Sequence, residues 1–259
     1  KRLREKFRRG VIRRLRHRLL DKVSNRIRSQ MCGRYSTGKV SKKKFEETLN
    51  AELEEIEPSF NICPGRDNPV IARTDGKTFS TRMRWGLVPN WSKEPRTTAS
   101  SINARSETMA EKPFFRDSFS QRRCLAPAEG WYEWLTDGKR KTPYFIHLPD
   151  EEPFAFAGLW DSWEGAGIDT FNSYAVITKD AHESVSFIHH RMPVVLPERH
   201  WRAWLDPSTD DETVSSVLKD SLAHFESRTV SNLVNDVGND GPELTKPFKQ
   251  DTQQSFDFL

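Results

Sequence analysis

The sequence runs to 259 residues, with 41 Lys/Arg against 37 Asp/Glu, a formal net charge of +4, and three cysteines. That length can bury a substantial core, and no apolar run approaches the roughly 18 residues that a membrane-spanning helix needs. Cys32, Cys63 and Cys124 form no CxxC and no paired Cys/His spacing, so neither a disulfide framework nor a zinc site is indicated; the expectation is a soluble, cytoplasmic protein with no metal, cofactor or membrane contact.

In chain order, the first feature is a change of charge. Residues 1–30 carry 13 Lys/Arg and 2 Asp/Glu, a net of +11, which leaves the other 229 residues at −7. Such asymmetry marks a nucleic-acid or membrane-binding arm, or a piece foreign to the folded domain. Leu3, Phe7, Val11, Leu15, Leu19, Val23 and Ile27 recur at every fourth position. At 3.6 residues per turn that stripe drifts by about 40° per step and winds round a helix instead of holding one face. The segment lacks the unbroken apolar stretch and small-residue cleavage site of a secretory signal. Two readings stay open: an upstream stretch joined by a misplaced start, or a pro-segment that is cut off. Both set the mature N-terminus at Cys32, after Met31. The expected divisions are a basic extension over 1–30, a catalytic domain over 31–247 and a flexible tail over 248–259.

Ser41 is placed to cap a helix over 41–53. A strand over 79–89 stops at Pro89, and residues 131–148 read as a hairpin with Asp137-Gly138 in its tight turn. Further strands are expected over 153–163, 172–181 and 192–196. Further helices are expected over 197–205, opened by Pro197, and over 212–222, behind an acidic cap. Residues 235–259, rich in Asn, Asp, Gly and Gln, read as a loop followed by a flexible tail. Helices at either end of a run of antiparallel strands give an α+β fold, a single domain with a mainly antiparallel, barrel-like β-sheet core flanked by helices.

A cysteine at a chain's own N-terminus has chemistry that an internal one lacks. Its α-amine, with a pKa of roughly 7.7–8.0, is partly free base at neutral pH. Amine and thiol sit on adjacent carbons, so both can add to one aldehyde carbon. The amine forms an imine, and the thiolate closes a five-membered thiazolidine that outlasts it. A lone cysteine is also commonly a small buried hydrophobe, and Cys32 by itself does not decide between the two.

Six ordered stretches carry more: MCGRYS at 31, FNICPG at 60, RWGLVPNW at 84, SINARSET at 101, CLAPAEGWYEW at 124 and FIHHRMPVVL at 187. Together, from Met31 to about Pro247, they resemble the abasic-site-processing family, also called SOS-response-associated peptidases. The resemblance implies a DNA-damage function. The N-terminal Cys, exposed when Met is lost, captures the open-chain aldehyde of an abasic site in single-stranded DNA as a covalent crosslink that shields the lesion.

The resemblance further implies Cys32 as the nucleophile through amine and thiol, and Asn103 of INAR as the group orienting the amine or the sugar hydroxyls. It makes Glu133 of WYEW the general acid/base for imine formation and ring closure, and His189 of IHHRMP the group assisting sugar opening. Spacing alone leaves other roles open: Asn103 can satisfy a loop turn, and strand alternation can turn Glu133 to solvent, opposite the aromatics. Packing among Trp131, Tyr132 and Trp134 would instead raise the Glu133 pKa toward neutrality. Glu129 is a competing carboxylate. His190 stands where the family most often has an acidic residue, and in an extended segment it would face away from His189. Arg191 and Pro193 match the motif and are expected to build the site wall.

Contact with DNA calls for cations on phosphates and ring faces on bases. By motif match Arg34 and Arg105 are the phosphate candidates, with Arg84 behind them. Trp91 is placed to stack on or wedge beside a base, and Ser92 replaces a second aromatic often found there in the family. Trp160, Trp163, Trp201 and Trp204 read as core. The expected partner of this monomer is single-stranded DNA containing abasic sites. The tail QQSFDFL at 253–259 faintly matches peptides that dock on sliding clamps. Self-cleavage that frees Cys32 is a further expectation. Two other functions stay in view, a cysteine-dependent peptidase acting on proteins and a passive single-stranded-DNA binder.

Overall fold

The structure, a computed structural model, describes residues 33–165 and 168–248. The basic extension, Cys32 itself and the tail from residue 249 onward lie outside the described residues. In chain order the strands are β1 (Arg34–Ser36), β2 (Asp67–Thr74), β3 (Lys77–Trp85), β4 (Asn103–Arg105), β5 (Arg123–Ala128), β6 (Gly130–Asp137), β7 (Arg140–His147), β8 (Phe154–Gly165), β9 (Ile168–Asp180), β10 (Arg191–Pro193), β11 (Val195–Leu196) and β12 (Glu226–Thr229). The helices are α1 (Lys42–Leu49), α2 (Arg116–Gln121), α3 (Glu183–Ser186), α4 (Trp201–Leu205) and α5 (Asp211–Lys219).

Strands β3, β2, β5, β8 and β9 pair in succession, and β9 returns to β3, so the five close into a ring. Every pairing in it is antiparallel except that of β3 with β9. Closure removes the exposed edges that an open sheet must otherwise protect. A second sheet, β1-β6-β7-β12, is antiparallel throughout. The molecule is thus an α+β domain with a barrel-like core.

Strand alternation sorts the ring's residues onto two faces. Val70, Ala72, Ala126, Phe156 and Val176 join Tyr35 and Trp131 of the small sheet in one apolar cluster. Ile71, Leu125, Ala157 and Ile177, one residue out of step, meet Phe45 of α1, Trp201 and Trp204 of α4 and Val214 and Val217 of α5 in another. Phe45 stacks on Trp201 at 4.5 Å with the rings 5° apart. Helices therefore coat one face of the ring, and the small sheet packs against the residues of the other.

Several expected elements change length for local reasons. The helix from Ser41, whose hydroxyl accepts from Lys43 N–H at 3.4 Å, stops at Leu49 because Asn50 adopts φ 52°. β3 ends at Trp85, short of Pro89, because Gly86 at φ 125° turns the chain and its N–H donates to the Tyr174 carbonyl at 2.8 Å. The hairpin is β6–β7, with Asp137 paired to Arg140 and Gly138 at φ 56° in the turn. The stretch expected as one strand over 192–196 is two, β10 on β9 and β11 on β8. The helix expected over 197–205 begins with a 3-10 turn at Glu198–His200, and α5 is capped by Asp210, which accepts from Thr213 N–H at 2.8 Å.

Residues 235–248 are not a loose loop. Turns at Asn232–Asn235 and Pro242–Thr245 press Val234 and Leu244 onto Tyr132 and Phe145 of the small sheet. Asn61 fixes their connection by donating to the carbonyls of Asp236 and Asn239 at 3.0 and 2.8 Å. No helix among the described residues is long and apolar enough to cross a membrane.

Candidate active site

β1 lies antiparallel to β6, with Arg34 opposite Tyr132 and Tyr35 opposite Trp131. Directly opposed residues share a face, so the pair of strands separates two environments. Tyr35 and Trp131 look toward the ring, whereas Tyr132 and Trp134 look toward the C-terminal turns. Glu133 lies two residues beyond Trp131 and shares its face, with only 5% exposure. Alternation thus buries Glu133 instead of turning it to solvent. Tyr132 and Trp134 do not surround it; its border on this face is Trp131 and, directly across the hairpin, Tyr144. Glu133 Oε1 accepts from Trp134 N–H at 3.3 Å. The antiparallel count, carried one residue back from Arg34, sets Gly33 level with Glu133.

The strand bearing Gly33 is fixed by Tyr35. Its hydroxyl lies 2.7 Å from that of Tyr174, and its ring packs edge-on to Trp85 at 5.1 Å. Burial pushes both phenol pKa values up, so the pair stays neutral and supplies a fixed hydrogen bond, not a proton relay. Trp85 Nε1 donates to the Ile102 carbonyl at 2.9 Å. That bond anchors the residue before Asn103, which opens β4 in register with Val176 and is half-buried.

His189 follows α3 where the chain turns. Its Nδ1 accepts from Arg191 N–H at 3.1 Å. A peptide N–H can only donate, so the ring proton sits on Nε2. Burial, and then the neighbouring His190, hold the His189 pKa below its ordinary value, which keeps the ring neutral at pH 7. Because the segment turns and is not extended, His190 does not face away: the two rings lie 4.3 Å apart, tilted by 30°.

The flanking residues Tyr35, Ile102, Trp131 and Ile188 all belong to one apolar cluster, and this common anchorage fixes the Gly33, Asn103, Glu133 and His189 segments against the same core. Arg191 adds a polar tie, its two terminal nitrogens donating to Glu107 Oε1 and Oε2 at 2.6 and 2.8 Å. It also donates to Asp180 Oδ1 at 2.5 Å and to the Thr178 carbonyl at 2.8 Å. The fork clamps the loop after Asn103 to the segment after His189. The Arg191 guanidinium holds the Glu107 carboxyl below the usual range. Glu107 lies within SINARSET but had no distinguishing spacing in the sequence.

The DNA candidates divide. Arg34 is 6% exposed, and its guanidinium donates to Asn61 Oδ1 at 2.9 Å and to the carbonyls of Val234 and Asn235 at 2.5 and 3.3 Å. A guanidinium so committed is a strut between β1 and the C-terminal turns, a structural role beside the phosphate contact expected of it. Arg84 lies over the Phe171 ring at 3.9 Å, 4.0 Å from Asp67. Arg105 is exposed at the end of β4. Trp91 is 57% exposed and edge-on to Phe114 at 6.3 Å. Its loop is tied down by Asn90 N–H to Asp161 Oδ2 at 3.0 Å and by Trp163 Nε1 to the Ser92 carbonyl at 2.8 Å.

Trp160, Trp163, Trp201 and Trp204 are buried as expected. Glu129 is buried and accepts a hydrogen bond from the Ser36 hydroxyl, so it is engaged in holding β1. Cys63 and Cys124 are buried free thiols. Among the described residues, no group of three or more His, Cys, Asp or Glu is positioned to hold a metal ion.

A family model described as SOS response associated peptidase (SRAP) matches residues 31–237. The abasic site processing protein YoqW of Bacillus subtilis (strain 168) is 37% identical over 193 residues, covering 73% of this chain and 86% of that protein. The abasic site processing protein HMCES of Xenopus tropicalis is 30% identical over 236 residues, covering 78% of this chain and 69% of that protein. Among solved structures, a phage-related protein from Bordetella bronchiseptica aligns with a TM-score of 0.63 at 33% identity, covering 77% of this chain and 94% of that one.

Proposed function

The chain belongs to the SOS response associated peptidase family, and on that premise we propose that it processes abasic sites in single-stranded DNA by trapping them on its N-terminal cysteine. The observation that carries this reading is the buried carboxylate of Glu133, on the ring-facing side of the strand beside which β1 begins. Cys32 is one peptide from Gly33, a Cα separation of about 3.8 Å. Once residues 1–31 are gone, its amine is the chain terminus.

The Cys32 amine attacks the C1′ aldehyde of the ring-opened sugar; water leaves and a C=N bond forms. The thiolate then adds to the same carbon, a C–S bond forms, and the nitrogen takes a proton, closing the thiazolidine. Glu133 serves both steps, giving a proton to the departing hydroxyl and receiving one from the thiol. His189, neutral with its proton on Nε2, donates a hydrogen bond to the sugar ring oxygen as the hemiacetal opens. Asn103 orients the amine, Arg105 takes a phosphate, and Trp91 stacks on a base. The protein acts as a monomer, one adduct per chain.

The test is a denaturing gel of protein started at Met31, incubated with single-stranded DNA carrying one abasic site. A shifted band, absent with Cys32→Ala, supports the reading; no band from the wild type sinks it. Cys32-dependent turnover of casein without a band would move the reading to a peptidase. Self-release of Cys32 has its own readout, the intact mass of the full-length chain: a uniform mass that includes Lys1 rules it out.

A further inference from the structure

Phe187 is 54% exposed and lies two residues before His189. Tyr144 braces its ring edge-on, with centroids 5.8 Å apart and planes at 87°. Tyr144 itself packs on the central apolar cluster and lies directly across β6–β7 from Glu133. One exposed aromatic ring is therefore braced by the residue that pairs with Glu133 and stands two positions before His189. Farther along the same hairpin, Lys139, Arg140 and Lys141 are all exposed, with Asp137 as the acid beside them. Alternation sets Arg140, Thr142 and Tyr144 on one face, so the cationic turn lies about 13 Å from the paired rings along β7. A run of cations leading along a strand to an open ring matches a nucleic-acid strand, with phosphates on the cations and a base on the ring.

We infer that Phe187, braced by Tyr144, stacks on the nucleobase adjoining the abasic sugar, and that Arg140, on the Tyr144 face of β7, and Lys139 in the adjoining turn bind the phosphates of the same strand beyond it. This rests on the proposed function and adds to it the contact that sets the lesion in register. An abasic sugar has no base of its own to grip, so the neighbouring base is what positions its aldehyde relative to Glu133 and His189. Stacking of one base on one aromatic ring corresponds to roughly a tenfold change in affinity.

The experiment measures binding and single-turnover crosslinking at subsaturating DNA on three oligonucleotides. One has normal bases flanking the abasic site; the others replace the 5′ or the 3′ neighbour with a tetrahydrofuran spacer, which keeps the backbone and removes the base. The wild type is expected to lose about tenfold with one of the two spacers. Phe187→Ala loses about as much on the normal oligonucleotide and no more with that spacer, while Phe187→Trp keeps both the rate and the discrimination. Lys139→Gln combined with Arg140→Gln weakens binding equally on all three and lowers the salt dependence by about one counterion per lost phosphate contact, whereas Lys141→Gln, on the opposite face of β7, leaves both unchanged. Melting curves confirm that the variants fold. If Phe187→Ala crosslinks at the wild-type rate and keeps the spacer discrimination, the inference is overturned while the crosslinking function stands. If the wild type forms no crosslink, the proposed function fails, and equilibrium binding to the same oligonucleotides still decides whether Phe187 stacks.

Discussion

Around the ring, Trp85, Trp201 and Trp204 are no more than 1% exposed, and their indole N–H groups end on the carbonyls of Ile102, Leu196 and Cys124 at 2.9, 3.0 and 2.9 Å. The small sheet is fastened differently. Its β1 is three residues long, and on the outer face Arg34 and Asn61 tie it to the C-terminal turns through side-chain and carbonyl hydrogen bonds. Apolar burial carries most of the ring, with buried Arg123 and Asp161 as its charged ties to the neighbouring helix and loop. Polar fasteners place the small sheet against the ring, and the proposed chemistry lies at the joint. The same division explains why arginines from matching motifs have different fates: Arg34 and Arg191 hold the joint together, whereas Arg105 stays exposed.

The sharpest way to separate the two regions is to injure each in turn. Trp201→Ala empties a site in the helix-coated face and should cost about 3–5 kcal/mol, read as a lower denaturation midpoint. Any adduct still formed by the folded fraction should form at the wild-type rate. Glu133→Gln keeps the shape and removes the titrating group. The single-turnover crosslinking rate should fall on the order of a hundredfold, or about 2.7 kcal/mol, with the denaturation midpoint nearly unmoved. A lowered midpoint with an unchanged rate would make Glu133 part of the scaffold and erase the distinction. Arg34→Met removes the donor that serves Asn61 and the carbonyls of Val234 and Asn235, a loss of about 1–3 kcal/mol. Hydrogen exchange should rise at residues 232–245 and stay constant in β5 and β8. Uniformly faster exchange would mean that the ring leans on this strut after all.

Local chemistry was readable in the sequence because its signals are local. Ser41 announces α1, and Asp137-Gly138 announces the β6–β7 turn. A barrel-like core was expected, but the parallel pairing that closes it was not readable, because Arg84 and Trp85 meet Ser173 and Tyr174 far along the chain and without periodicity. β2 and β5 were hidden by Pro69 and Pro127, residues that usually argue against a strand. β2 tolerates Pro69 because it meets β5 only at Ile71 and Ala72. In the site, the motifs named candidate side chains but not which way they point. The strut made by Arg34 was invisible because the carbonyl it serves at Val234 is 200 positions away. Phe187 passed unnoticed because its exposure depends on α3 ending at Ser186 and on Tyr144 standing beside it.

The smallest expected effect falls where the two regions cannot be injured separately. The His189 pKa lies below the ordinary 6.5, first because of burial and then because of His190. As pH falls, the unfolded chain therefore takes up this proton before the folded one does, and the equilibrium moves toward unfolding. The His189 contribution to stability is intact above about pH 6.5, shrinks as pH drops toward the folded pKa, and is constant again below it. Melting temperatures from about pH 8 to about pH 5 should fall more steeply for the wild type than for His189→Gln, with the two curves parallel above the transition. Glutamine leaves an oxygen able to accept from Arg191 N–H, so the comparison isolates the titration. His190→Asn should remove part of the difference, because the ring of His190 lies 4.3 Å away and helps to lower the His189 pKa. Parallel curves throughout would show that His189 is not held neutral. Its Nε2–H would then be no fixed donor to the sugar oxygen, and the joint would owe its position at that point to packing alone.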